Sequence, residues 1–171
     1  MNRKRYVGIV LGALALLLVA ANVTIWKREN LLRNGQVVLL ELAPVDPRSL
    51  MQGDYMALRF AVAQKLQPAG LADSSVTEGH VVVKRDPRNI GAFDRVFRNG
   101  ETLAADESRI HYRLRKHDVR IVTNAYFFQE GTADAYNSAK YGELRVAANG
   151  EALLVGMLDK DLKMLGTGKK R

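Results

Sequence analysis

Cysteine is absent from the 171 residues, which removes disulfide scaffolds, Cys-rich zinc sites and cysteine nucleophiles in one step. No Walker A loop and no dinucleotide-binding glycine loop is present. Histidine is scarce. His80, His111 and His117, even with Asp86 and Asp118 as oxygen donors, match no local zinc spacing. A strand carrying His111 and His117 on one face would load arginines beside them, which opposes a cation, so neither metal nor cofactor is expected. Aromatic residues make up only 7% of the chain and do not interleave with the basic ones, so nucleic acid is not an expected partner. The length excludes a large multidomain enzyme, and 47% hydrophobic with 26% charged residues describes a chain that folds.

The hydrophobic residues are segregated. Val7 to Ala21 are fifteen consecutive apolar or glycine residues, and the apolar character resumes after Asn22 as far as Trp26. As a helix, residues 7–26 can cross a hydrocarbon core about 30 Å thick, with lipid as their partner. Asn22 and Thr24 fall near the far end, where they can bond back to the helix, and Trp26 is placed as an interfacial anchor. A removable signal peptide is the alternative, because Val19-Ala20-Ala21 offers a cleavage window. The run continues past that window, so an uncleaved anchor is expected. Arg3, Lys4 and Arg5 precede the run and Lys27, Arg28 and Arg33 follow it; the orientation adopted is N-terminus cytoplasmic and body periplasmic, in a bacterial inner membrane. Without the three leading basic residues the formal +8 falls to +5 for the body, and the excess is concentrated in residues 84–120.

Three domains are therefore expected: a cytoplasmic tip and anchor at 1–26, an exported domain at 27–165, and a basic tail at 166–171. The exported domain reads as mainly β with one or two short α-helices, an antiparallel sheet of barrel-like or sandwich-like form. Val37 to Leu42 predicts a strand ended by Pro44 and Pro47. Met56, Leu58, Phe60 and Val62 share one face of a second strand. His80 to Val83 is a third, and Ile110, Tyr112 and Leu114 alternate with charged residues before Val119 to Val122, which predicts a hairpin. Asn99-Gly100 signals a further hairpin. Ala133 to Lys140 reads as a short helix with Thr132 as N-cap and Gly142 as its stop. Asn149-Gly150 signals a type I′ hairpin between strands ending at Val146 and starting at Ala152. Asp-Pro-Arg occurs at 46–48 and 86–88, which turn chemistry explains without an internal repeat.

The segment Gly53-Asp54-Tyr55-Met56-Ala57-Leu58-Arg59-Phe60 resembles the signature of the GDYXXLXY family of membrane-anchored bacterial proteins, with Phe60 where that signature ends in tyrosine. The resemblance extends over Pro44 to Leu50, Phe127 to Gly131, Tyr136, Ala139 to Gly142 and Asn149 to Leu154. It implies one N-terminal anchor, an exported domain and association with a multi-pass membrane protein; it implies no defined biochemical activity.

Candidate interaction residues follow from the signature and its surroundings: Asp46, Arg48, Gly53, Asp54, Tyr55, Leu58, Phe60, Glu130 and Gly131. Gly53 suits a tight backbone, and Asp54 can accept from backbone N–H groups or pair with Arg48 or Arg59. Tyr55, opposite the core face, is placed to hydrogen-bond at a groove or rim, while Glu130 precedes the short helix. The leading reading is a non-enzymatic accessory or interaction domain associated with an integral membrane partner. Its enzymatic rival is a Ser-Lys envelope peptidase using Ser49 and Lys84, which requires a neutral, desolvated lysine. A third reading is a small-ligand-binding envelope domain, for which a cavity containing Tyr55 would speak.

Overall fold

The computed structural model describes residues 3–43, 51–52, 55–66, 78–115 and 118–166. The expected features at Asp46, Arg48, Ser49, Gly53, Asp54, His117 and the tail from 167 onward lie outside the described residues. The chain divides into two compact units, Met1–Asn34 and Gly35–Arg171.

The first unit is the single helix α1 (Arg3–Asn34), of which residues 7–34 are apolar enough to span a membrane, with mean hydropathy 2.4 over the best window. Asn22 Nδ2 donates to the Leu18 carbonyl at 2.8 Å and Thr24 Oγ1 to that of Ala20 at 2.9 Å, so neither polar group stands unsatisfied in hydrocarbon. The polar residues after Trp26 stay helical, supported by Glu29–Arg33 and Asn30–Asn34 contacts one turn apart. One finding corrects the expectation of a multi-pass membrane protein: the described residues hold one candidate spanning helix, and the topology is single-pass.

The second unit is built on a seven-stranded sheet of β1 (Gln36–Glu41), β4 (Glu78–Arg85), β5 (Ile90–Val96), β6 (Glu107–Arg115), β7 (Asp118–Ile121), β9 (Tyr141–Val146) and β10 (Ala152–Leu158), in the order β10-β9-β1-β5-β4-β6-β7. A smaller sheet has the order β2-β3-β8, from Met51–Gln52, Tyr55–Ala57 and Ala125–Phe127. The expected β-rich class with two short helices and a leading apolar helix is what the chain adopts, but the large sheet is mixed, because β1 and β5 pair in parallel. Alternation along β6 turns Ser108, Ile110 and Tyr112 inward, toward Val38 and Leu40 of β1 and Val81 and Val83 of β4.

The sheet curls into a half-barrel. The turn between β9 and β10 reaches β6, which is not its neighbour in the sheet: the His111 N–H donates to the Gly150 carbonyl at 2.9 Å, and Arg109 Nε to that of Ala148 at 2.8 Å. Inside, Ser108 Oγ donates to Gln36 Oε1 at 2.9 Å, joining β6 to the start of β1. Asn149-Gly150 does form a hairpin, though of another type than expected. Gly150 has φ +92° while Asn149 does not share the left-handed region, and the Gly150 N–H donates to the Ala147 carbonyl, so a type I turn runs into a left-handed glycine.

Three local expectations are redrawn. The stretch read as one strand with Met56, Leu58, Phe60 and Val62 on a shared face is a strand only to Ala57; helix α2 (Ala61–Leu66) follows, and Val62 and Leu66 are buried one turn apart on it. Residues 133–140 form only a single 3₁₀ turn, Ala133–Tyr136; Thr132 makes no side-chain cap and instead donates Oγ1–H back to the Gln129 carbonyl. Gly142 stops no helix. It lies in β9, where a Cβ would stand 3.0 Å from the Phe60 ring.

The seam between hairpin and β6 carries a pH dependence. His80 and His111 face each other across β4 and β6 with ring centroids 5.3 Å apart; Phe97, Arg109 and the Gly150 backbone enclose His80, and Glu78 lies 3.6 Å from His111. Burial, then His111 and then Arg109 lower the His80 pKa from 6.5, against the opposing pull of the Asn149 carbonyl and Glu78. A folded pKa below the unfolded one means the unfolded chain takes the proton first, so stability held above pH 6.5 is lost as pH falls. Elsewhere Glu107, held down to about 2 first by Arg95 and then by the Ala104 N–H, keeps its contribution until far more acid pH. Denaturant titrations at pH 7.5 and 5.5 are therefore expected to show a less stable protein at 5.5, with the difference shrinking in His80→Gln. Gly150→Ala is expected to cost about 1–3 kcal/mol in the same titration, because it forces a side chain into φ +92° and puts a Cβ 2.5 Å from the His80 ring.

Candidate functional site

The signature segment crosses between two hydrophobic cores. Met56 and Leu58 are buried with Tyr136 and Met157 in the smaller core, whereas Phe60 and Val62 belong to the main core with Leu40, Val119, Ile121 and Leu144. The backbone between them is held on both sides: the Leu58 N–H donates to the Asn124 carbonyl at 2.8 Å, the Ala43 N–H to that of Arg59 at 2.7 Å, and Phe60 bridges to Leu42. Leu58 and Phe60 thus act as anchors. Phe60 is only 2% exposed and lies against a glycine and the apolar side chains of the main core, which a ring without a hydroxyl fits.

Alternation turns Tyr55 and Phe127 to the outer face of the small sheet, where they pair in register with ring centroids 5.8 Å apart and tilted by 44°. Phe127 is 74% exposed, although it is a large aromatic on a strand. Its neighbours Tyr126 and Phe128 pack instead around Tyr136, at 5.4 and 5.1 Å between ring centroids. Among the described strands β8 ends the small sheet, and β3 covers only one of its edges.

Next to this face is a cavity of about 320 Å³, between the signature segment and the end of β7. Leu58, Phe60 and Ile121 give it apolar walls, and Arg59, Arg120 and Asn124 bring polar groups. Arg120 Nε lies 3.6 Å from Asp118 Oδ2, both about half exposed. Arg59 is exposed and makes no ion pair with any described residue. The wall between β7 and β8 is strained. Val122 has φ +58°, a region β-branched side chains avoid, and Thr123 Oγ1 closes the following turn by donating to the Ala125 carbonyl at 2.9 Å.

Glu130 and Gly131 lie apart from this cavity, in an exposed turn. The Thr132 N–H donates to the Gln129 carbonyl at 3.1 Å and Gly131 has φ +78°, as a type II turn requires at its third residue. One 3₁₀ turn supplies no helix dipole of consequence to Glu130. Lys84 is far from a desolvated base: its side chain is 62% exposed and lies 3.7 Å from Asp106. Among the described residues no three histidine, aspartate or glutamate side chains are grouped to hold a metal ion. Tyr55 is not among the residues lining the cavity. Phe127, Arg120 and Val122 were not singled out by the sequence, because exposure of an aromatic and strain of a backbone leave no pattern in it.

A family model described as GDYXXLXY protein matches residues 17–157. No curated protein and no solved structure matches the chain.

Val122→Gly is expected to raise stability by up to about 1 kcal/mol in denaturant titration, because relief of the left-handed strain exceeds the entropy lost with glycine.

Proposed function

The chain belongs to the GDYXXLXY family, and from that premise we propose that it is a membrane-tethered interaction domain whose β body, on the periplasmic side, takes up an extended segment of a protein partner at the Tyr55–Phe127 face. The observation that carries this reading is the 74% exposed Phe127 on the outermost strand of the small sheet. The Leu58 N–H bonds to the Asn124 carbonyl, so 56/126 is the next bonded pair of this antiparallel ladder, and alternation turns the Phe127 N–H and carbonyl toward the open edge. An added strand would bond to those groups and lay alternate side chains against the two rings. Three residues of edge are too few to hold a partner by backbone alone, and the rings supply the apolar contact that compensates. The anchor keeps the domain at the membrane surface, with the N-terminus on the cytoplasmic side by the leading Arg3-Lys4-Arg5 cluster.

The peptidase reading has less to support it, since the Lys84 side chain is 62% exposed and lies 3.7 Å from Asp106, whereas that chemistry needs a desolvated lysine.

A photoreactive amino acid placed at Phe127 in native membranes is expected to give one discrete protein adduct, with none from the same residue at exposed Glu151. A synthetic peptide of the crosslinked segment should then bind the full chain, and Phe127→Ala should weaken it about tenfold, the loss of a typical aromatic anchor. Adducts to lipid only, or the same adducts from both positions, would overturn the reading.

A further inference from the structure

The cavity beside the signature segment has a chemistry of its own, independent of the aromatic face. Its volume of about 320 Å³ is at the lower end of the range for small-molecule sites. Three of its walls, Leu58, Phe60 and Ile121, are only 2–4% exposed in all and belong to the two cores, so they form a rigidly placed floor, with half-buried Ala57 and Ala63 beside them. Its lining includes two exposed arginines, Arg59 and Arg120, and a single acidic residue, Asp118. Their formal sum is one positive charge. That balance suits a monoanion, whereas a dianion would meet Asp118 with its second charge. Guanidinium groups match the planar geometry of a carboxylate in particular. The adjoining backbone adds a second line of observation. Val122 is held at φ +58° immediately after Ile121, a strain of the kind that concentrates where a wall must be kept in one place.

We propose that this cavity binds a carboxylate carried on a short apolar body, with Arg59 and Arg120 holding the anion and the body lying against Ala57 and Ala63 over the floor that Leu58, Phe60 and Ile121 form. Asn124, which lines the cavity beside Thr123, can donate from its side-chain amide to the second carboxylate oxygen. A free acylated amino acid and the C-terminus of a peptide present the same chemistry, and the test separates them.

The full chain in detergent micelles, labelled at isoleucine methyl groups, is titrated with N-acetyl-leucine, with its amide, and with a hexapeptide ending in leucine in free-acid and amidated forms. A saturable shift of the Ile121 methyl is expected with the free acids in the millimolar range, on the order of tenfold weaker with the amides. A response to N-acetyl-leucine alone assigns a free acid, and a response to the hexapeptide as well extends the site to chain ends. Arg59→Gln and Arg120→Gln should each weaken the response while the Ile110 methyl, deep in the main core, reports an unchanged fold. Phe127→Ala should leave it unaltered, so failure of the aromatic face and failure of this site are read separately. Acid and amide acting alike, arginine variants binding as wild type, or an Ile121 methyl that never shifts would each overturn the proposal.

Discussion

Phe60 fastens the small sheet to the large one, and most of what is distinctive in the fold depends on that contact. The ring enters the main core between Leu40, Leu144 and Ile121 and lies against Gly142, whose missing Cβ leaves the 3.0 Å approach open. Four residues earlier the same chain is buried in a different cluster, with Met56 beside Tyr136 and Met157. A segment that serves two cores within five residues has little freedom to move, and removal of a buried ring of this size typically costs about 3–5 kcal/mol. The Arg59 backbone, between the two burial sites, is fixed by the Ala43 N–H, so its side chain leaves from a rigid point on the cavity rim.

Closure of the half-barrel obeys a different constraint. A sheet with a parallel pair at its centre cannot be folded up by hairpins alone, and here β1 meets β5 in parallel while β9 returns late in the chain to cover the other edge of β1. The curl is completed where the β9–β10 turn bonds to β6, a contact made possible because β7 pairs with β6 only from Tyr112 onward. With no cysteine available, this seam is held by backbone hydrogen bonds, Arg109 and the packing of His80, which makes it dependent on the charge state of an imidazole.

Local chemistry was readable in the residues; placement across long distances was not. The β6–β7 hairpin follows from strict alternation around Ile110 and Tyr112, and the β9–β10 hairpin from Asn149-Gly150, although only the backbone angles separate a type I turn with a left-handed glycine from type I′. Helix α2 was hidden because Met56, Leu58, Phe60 and Val62 satisfy period two as well as Val62 and Leu66 satisfy one helical turn. The parallel β1–β5 pair has no signature in either strand, since its partners are set by the rest of the sheet. The candidate site was legible in part: Leu58 and Phe60 came from the signature, while Arg120, Val122 and Phe127 come from a different stretch of chain and are brought beside them by folding.

The segment Val122 to Asn124 shows why the aromatic face and the cavity are neighbours. β7 belongs to the large sheet and β8 to the small one, and only three residues join them. Within this short connection Val122 adopts the left-handed region and Thr123 Oγ1 bonds to the Ala125 backbone. The same turn presents the Asn124 carbonyl to the Leu58 N–H, drawing the signature segment alongside it. Thr123 and Asn124 of that turn line the cavity together with Leu58 and Phe60, and Phe127, paired with Tyr55, lies on the strand the turn leads into.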